Sequence, residues 1–385
     1  MAYAGSPWFP PGTILFSHGK STYEMVEDLG PGHHGERVLL ARQRVNGDSR
    51  GKVILKALPL PAVTSELKLA RKRLEEEVRL ASYLRHPNIG SVYGLHKVQS
   101  ALYVITESVT GCSLNTLVDV AMRHGRYFPE SFMLYVGAQV AGALVHAHAC
   151  QSEKGEPLNI VHRAIDPVRI RVTLAGEVKL MDFGLASARL PGQRSTRRPG
   201  ARGDVYWASP EALVGQQSED VRSDLFTLGM VLVEFATGRH LLSAPTMLTE
   251  DLWALVPKGE REQLGGIVAR VRDEWDGVDP EDTILRAATF TPADVEAATQ
   301  GLSKPTRAVF RKLLRREPAE RHPSALALQD DLSNVLRDRG GYSAKHAADE
   351  IQAALRRAGK ALAADEDGPQ SAFCEDNITT EPSPA

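Results

Sequence analysis

Cysteine is scarce in this chain. It has three in 385 residues (Cys112, Cys150 and Cys374), and none stands in a CxxC spacing. That argues against a disulfide framework or a zinc site and fits a reducing compartment. Excess charge of either sign is also missing: 46 Lys and Arg nearly balance 48 Asp and Glu, for a net charge of −2. No bulk attraction to nucleic acid or to an anionic membrane surface is expected. The opening MAYAGSPWFPPGT lacks the basic start and apolar run of a signal peptide. No run of about 18 apolar residues is evident, so no membrane insertion is expected, and the location read from the sequence is cytoplasmic. No internal repeat is seen. What remains is ordinary globular composition, 42% hydrophobic and 24% charged, enough for one large or two modest domains.

Residues 1–10 read as an irregular arm. From Tyr23 to Val109 short β-type runs dominate (VLLARQRV, KVILKALPL, ALYVITESV), interrupted by one charged helix over Ser65–Leu84. Apolar residues recur at helical spacing from Leu114 to His148. A strand–turn–strand follows, Ile170 to Leu174 and Val178 to Met181 about an Ala175–Gly176 turn. Helical patterns dominate thereafter. A β-rich segment (11–109) before an α-rich one (110–340) predicts an α+β protein of two lobes with a cleft between them. A further helix is expected within 341–363, with Ile351, Leu355 and Leu362 on one face. The acidic, Pro-containing residues 364–385 read as disordered.

The chemistry-bearing motifs come in a fixed order. Leu29-Gly30-Pro31-Gly32-His33-His34-Gly35 lies between two β runs, and glycines so spaced let backbone N–H groups approach phosphates. Val53-Ile54-Leu55-Lys56 then sets a lysine at a strand end, and Glu77 lies on the charged helix where it can pair with Lys56. Arg85-His86-Pro87-Asn88-Ile89 closes that helix. Ile160-Val161-His162-Arg163 precedes the strand–turn–strand and Met181-Asp182-Phe183-Gly184 ends it. Ser209-Pro210-Glu211 and Ser223-Asp224 follow.

This order and spacing resemble the protein kinases, most closely the bacterial branch of eukaryotic-like Ser/Thr kinases, over residues 11–340. The resemblance implies the two-lobed kinase fold. It implies a nucleotide site at Gly30, Gly32, Gly35, Lys56 and Glu77, with Thr106 as gatekeeper and Glu107 and Val109 in the hinge. Asp182 matches the metal-binding aspartate, and ATP, with or without Mg²⁺, is the implied cofactor. Glu211 and Arg321 match a structural ion pair, and Asp224 the anchor of the catalytic loop. The alternative reading of Lys56, Glu77 and Asp182 is an ion-pair network that only holds the fold.

The catalytic loop departs from the family's H-R-D-x-x-x-x-N. It reads His162-Arg163-Ala164-Ile165-Asp166-Pro167-Val168-Arg169. Ala164 stands at the aspartate that accepts the substrate hydroxyl's proton, and loss of such a base typically costs roughly 10²–10⁴ in rate. Arg169 stands at a metal-binding asparagine and brings positive charge there. Asp166 is a candidate substitute base; its other reading is a capping carboxylate. Ile54 replaces a small residue above the adenine position and Arg171 an apolar one below it, unless a one-residue slip offers Ile170 or Val172 instead. The glycine loop carries one extra residue if Val38 is the valine that follows it, and Asp204 replaces a threonine of the activation segment. Drift at four sub-sites with the architecture kept predicts a degenerate kinase, a pseudokinase. It would act as a scaffold or allosteric regulator whose partner is a protein, an active kinase or its substrate. The rival expectation is an atypical ATP-dependent Ser/Thr kinase.

Other features have bland readings beside sharp ones. His33 and His34 suggest a metal or phosphate role but suit a solvated loop. His146 and His148, two apart, cannot chelate from one helix face. The basic Arg194, Arg197, Arg198 and Arg202 around Ser195 and Thr196 suit either a phosphorylation switch or a solvated loop. Residues 243–303 exceed the family's usual length, as a partner-docking element or a decoration.

Overall fold

The computed structural model describes residues 10–32, 35–61, 64–98, 101–124, 127–190, 205–214, 219–243, 246–274 and 279–358. The architecture is α+β. The chain divides into two compact units, one running to Arg85 and including Gly90–Gly111, the other comprising His86–Ile89 and Cys112–Lys360.

In the first unit, β1 (Ile14–His18), β2 (Ser21–Pro31), β3 (Arg37–Val45), β4 (Asp48–Pro59), β5 (Val92–Val98) and β6 (Ala101–Glu107) form one antiparallel sheet in the order β1-β2-β3-β4-β6-β5. The period-two alternation of a strand sorts its side chains. On β4, Val53, Leu55 and Ala57 enter a core with Phe16, Tyr23, Met25, Leu39, Ala41, Tyr103 and Ile105. Ile54 and Lys56 therefore belong to the opposite face. Phe16 of edge strand β1 stacks on Tyr103 of β6 with ring centroids 4.5 Å apart, which requires the sheet to curl over that core.

Across the other face lies α1 (Ser65–Ala81). Thr64 caps it by accepting the Leu67 N–H at 3.2 Å. Its buried stripe is Ala70, Leu74, Glu77 and Leu80, at helical spacing, with Ala70 and Leu74 packed on Leu58, Leu102 and Val104. A carboxylate in the middle of an apolar stripe needs a partner, and β4 supplies Lys56.

In the second unit, the helical stretch expected over Leu114–His148 resolves into α2 (Leu114–His124) and α3 (Glu130–Ala149), with Pro129 as the residue before α3. No continuous run of 18 apolar residues occurs in α3, which carries Ser131, Gln139, His146 and His148, but the helix is long and apolar on average, with a mean hydropathy of 1.2 over an 18-residue window. By length and composition it could cross a membrane, but 67% of that window is buried inside the fold, as in a central core helix. Such centrality explains its composition. A Cβ at Gly137 would lie 2.7 Å from Leu232 and 3.1 Å from Leu332, so glycine there lets α3 approach α5 (Val221–Thr237) and α11 (Ala325–Asp338) closely.

A small sheet joins β7 (Gly111–Ser113), β8 (Ile170–Thr173) and β9 (Val178–Leu180). Beyond it come α4 (Pro210–Val214), α6 (Thr249–Leu255), α7 (Arg261–Glu274), α8 (Glu281–Thr289), α9 (Pro292–Ala298) and α10 (Lys304–Leu313). The long 243–303 segment is tied together locally: Trp253 Nε1 donates to Glu281 at 2.7 Å, and Arg272 pairs with Asp279 and Glu281 at 2.6 and 2.7 Å. At the expected start of α9, Asp294 accepts the Thr291 N–H at 2.7 Å.

The last helix, α12 (Ala344–Arg357), buries Ala347, Ile351, Ala354 and Leu355. Its first turn lies against the β8–β9 turn. Gly176 has φ +83°, and a Cβ there would sit 1.8 Å from the Ala344 carbonyl oxygen, so only glycine fits. Tyr135 donates to the Gly176 carbonyl at 3.0 Å. Leu362 and the acidic 364–385 segment lie outside the described residues.

Candidate functional site

The catalytic-loop region is built in the second unit around one buried carboxylate. Asp224, near the start of α5, accepts the backbone N–H groups of His162 (2.8 Å) and Arg163 (2.9 Å) and faces His148 Nε2 at 2.9 Å. Burial opposes its charge, but His148, His162 and the backbone donors outweigh it and hold the carboxyl below its usual range. His162 is fully buried, its ring edge-on to Phe183 with centroids 4.4 Å apart and its Nε2 3.0 Å from the Met181 carbonyl. Burial pushes its pKa down. The loop is thereby fixed to the Asp182-Phe183-Gly184 segment. Arg163 and Asp182 both take positive φ, 67° and 62°, conformations that only a well-determined surrounding supports.

Ala164 is buried and its backbone N–H meets His162 Nδ1 at 3.3 Å. No acid stands at that position. Asp166 is buried too. Its Oδ1 accepts the N–H groups of Val168 (2.9 Å) and Arg169 (2.8 Å), and its Oδ2 is paired with the Arg169 guanidinium. The same guanidinium reaches Asp182 Oδ2 through Nε at 3.3 Å. Arg169 is thus a cation held between two carboxylates, and one of them is the position matched to metal binding. Burial disfavours its charge, yet Asp166 and Asp182 together keep its pKa above the ordinary arginine value. A divalent ion does not fit beside it: the carboxylate it would use already has a counter-charge, and a second cation would meet Arg169. No group of three or more His, Cys, Asp or Glu side chains suited to a metal occurs among the described residues.

In the strand that follows, Ile170 and Val172 are fully buried while Arg171 lies on the other face, directly across from Lys179 of β9. The register is the one that offers Arg171, not its apolar neighbours, to that face.

The first unit holds the remaining expected residues. Lys56 Nζ donates to both carboxylate oxygens of Glu77, at 2.7 and 3.0 Å. Register pairs Lys56 with Val38 and with Val104, and Ile54 with Thr106. Thr106 is buried, Glu107 accepts the Ser91 N–H at 2.9 Å, and Val109 is buried beyond the end of β6. Gly30 and Gly35 have φ of +100° and +83°, conformations that favour glycine. Asp28 accepts from Gly30 N (3.0 Å) and Arg37 Nε (2.6 Å), clamping the two stems of that loop.

The protein kinase domain matches residues 23–332. The chain belongs to this family. Its α+β architecture, with a curled antiparallel sheet in one unit and helices in the other, is the two-lobed protein-kinase fold. It is similar to the tyrosine-protein kinase MasK of Myxococcus xanthus, 31% identical over 276 residues, 71% of this chain and 40% of that protein. It is 33% identical to the serine/threonine-protein kinase PrkC of Bacillus subtilis over 193 residues, 49% of this chain and 28% of PrkC. Mouse serine/threonine-protein kinase Nek2 is 29% identical over 215 residues, covering 55% and 45%. The matched part of the kinase domain therefore spans less than half the length of these relatives.

Three contacts were not legible in the sequence. His148, read only as a helix position, partners Asp224. Arg163 Nε pairs with Glu219 at 3.2 Å, both side chains under 10% exposed. Glu36, directly after the glycine loop, is 2% exposed and packs on Gly32. No local pattern announces any of them, because each depends on a distant or looped-back neighbour. Glu211 and Arg321, by contrast, form the expected pair, bidentate at 2.7 Å for both bonds, with the Arg321 guanidinium 4.6 Å above the Phe226 ring. His33, His34, Ser195, Thr196, Asp204 and the arginines of residues 194–202 lie outside the described residues.

Proposed function

We propose that this kinase domain is a pseudokinase, a binding protein rather than a phosphotransferase. One observation carries the reading: the Arg169 side chain supplies, at Asp182 and Asp166, the positive charge that a catalytic metal would supply. Phosphoryl transfer depends on positioning and on metal neutralisation of charge. With Ala164 at the base position and Arg169 as an internal counter-ion, the loop keeps its shape and gives up both. The role is that of a cytoplasmic scaffold or allosteric regulator in Ser/Thr kinase signalling, and its partner a protein, an active kinase or its substrate.

A second reading is favoured by the formed Lys56–Glu77 pair, a feature a nucleotide-binding kinase also needs. In it the chain is an atypical ATP-dependent Ser/Thr kinase with Asp166 as displaced base. Against it stands the engagement of both Asp166 oxygens, which leaves that carboxylate as the cap of the loop. The test is phosphate transfer to a generic protein substrate and to itself, with Mg²⁺ or Mn²⁺. The wild type is expected to equal an Asp182→Asn control. Transfer abolished by both Asp182→Asn and Asp166→Ala would establish the second reading.

A further inference from the structure

We propose that His18 and His96 form a binding site for a divalent transition-metal ion of the imidazole-seeking class, Zn²⁺, Ni²⁺ or Cu²⁺, at the seam where the two edges of the first unit's sheet meet. The inference goes beyond the pseudokinase reading and does not depend on it, because neither residue belongs to the nucleotide or catalytic positions. β1 and β5 are the first and last strands in the sheet order, yet their histidine rings meet, with centroids 4.3 Å apart. The contact follows from the core. Phe16 is seated between Tyr23 and Tyr103, with ring centroids 4.5 Å from each. Alternation along β1 puts His18 on the same face as Phe16. His96 stands opposite Tyr103 in the β5–β6 register, its ring 6.2 Å from that of Phe16. β1 precedes residues 23–332, so one half of the pair comes from outside the part matched to the kinase domain.

The geometry suits chelation. Zinc bonds imidazole nitrogen at about 2.0–2.1 Å, so two nitrogens on one ion stand roughly 3–3.5 Å apart. Rings in contact reach that spacing by small rotations about their side-chain bonds. Their planes are inclined by 51°. Parallel rings would aim their in-plane lone pairs side by side, whereas inclined ones let them converge. Access is open too: His18 is exposed and His96 half-buried. The His96 Nε2 lies over Gly94, 3.7 Å from where a Cβ would stand, and glycine has no side chain to crowd it. Neutral imidazole is the ligand form. Burial and the charge of His18 lower the His96 pKa, which keeps that ring unprotonated at neutral pH. Of the neighbouring cations, Lys97 alternates to the other face of β5 and Lys20 is exposed in the turn after β1. With two protein ligands the remaining positions fall to water. The ion is therefore exchangeable, and its effect is mechanical: it ties one edge of the sheet to the other.

The test is amide hydrogen exchange of the full chain with and without Zn²⁺ or Ni²⁺, read over β1 (14–18) and β5 (92–98). It compares wild type, His18→Ala, His96→Ala and His18→Cys. An ion that binds only the closed seam slows exchange through seam opening by the factor 1 + [ion]/Kd. At ten times the Kd, taken from calorimetry of the same protein, β1 and β5 of the wild type should exchange about tenfold more slowly. Mg²⁺, which prefers oxygen ligands, should have no effect. Either alanine variant should lose the response. His18→Cys should keep it for Zn²⁺, since a thiolate is also a zinc ligand, and that rescue separates ligation from packing. Should an alanine variant lose β1 protection without metal, His18→Cys decides. No slowing in the wild type, even where calorimetry records heat, would mark the ion as adventitious on other histidines and overturn the inference. So would slowing kept in both alanine variants, or a Zn²⁺ response lost in His18→Cys as in His18→Ala.

Discussion

Replacing Arg169 by asparagine should turn a metal-indifferent loop into a metal-responsive one. In the wild type the Arg169 side chain is 7% exposed, Asp166 9% and Asp182 21%. Removing one partner of a buried ion pair costs roughly 3–5 kcal/mol. Asp166 keeps its two backbone N–H bonds and Asp182 is partly solvated, so the low end, about 3 kcal/mol, applies. At roughly 2–4 °C per kcal/mol for a unit of this size, the melting temperature should fall by about 6–12 °C. Asparagine also leaves two carboxylates without their cation. About 10 mM Mg²⁺ binding with a Kd near 1 mM would return roughly 1.4 kcal/mol, about 3–6 °C. Differential scanning fluorimetry at matched ionic strength, with and without Mg²⁺, reads both numbers. Wild type and Arg169→Lys should show no Mg²⁺-specific shift. A wild type stabilised by Mg²⁺ as strongly as Arg169→Asn would refute the idea that Arg169 substitutes for the metal, as would an Arg169→Asn that loses no stability.

Other expectations concern the frame around this loop. Arg321→Ala strips Glu211 of a bidentate partner in a buried site and should cost about 3–5 kcal/mol by urea denaturation; a loss under about 1 kcal/mol would mean that solvent replaces the pair. Glu234 on α5 has its pKa raised to about 7 by burial, and its Oε2 has no hydrogen-bond partner among the described residues. The unfolded chain ionises near 4.5 while the folded one holds the proton, so this residue lowers stability as pH rises from about 4.5 to 7, by roughly 3 kcal/mol in all. Glu234→Gln should remove that decline. Burial pushes His240 down to about 4, a contribution of opposite sign that is lost as pH falls below about 6.5, so the variant should show stability rising with pH between about 4.5 and 6.5. A pH profile unchanged by Glu234→Gln would contradict the assignment. Gly176→Ala cannot keep both its positive φ and the Ala344 carbonyl at its place, so faster amide exchange across 344–358 is expected, with the sheet of the first unit unaffected.

How much of this could be read from residues alone follows from the range of each interaction. Lys56 and Glu77 were legible from motif order and the kinase resemblance, a lysine ending a strand and an acid on the charged helix after it; that Glu77 sits within the buried stripe Ala70, Leu74 and Leu80 was shown only by the fold. The β8–β9 pair and its turn are visible as short apolar runs about Ala175–Gly176. Arg169 was legible as a charge hostile to a metal; that it embraces Asp166 and Asp182 together required the fold to bring positions 166, 169 and 182 to one point. α3 misleads in the other direction. Its small and aliphatic residues, Gly137, Ala138, Ala141, Ala143 and Ala147 among them, are interrupted by Gln139 and His146, yet the helix is apolar on average, because a helix packed on several sides needs no polar face. Glu36 gave no signal at all, since an acid after a turn is usually solvated.

The seat of α12 over Gly176 has a practical bearing on where this domain can be cut. The family match ends at residue 332, inside α11. A fragment stopped there would lose the last turns of α11 and all of α12, laying bare the β8–β9 turn and the aromatic face of Tyr135, against which Tyr342 packs at 5.5 Å. That hairpin leads from Arg169 on one side to Asp182 on the other, so the damage would fall on the site itself. The folding unit, as distinct from the homologous one, runs on through Arg357.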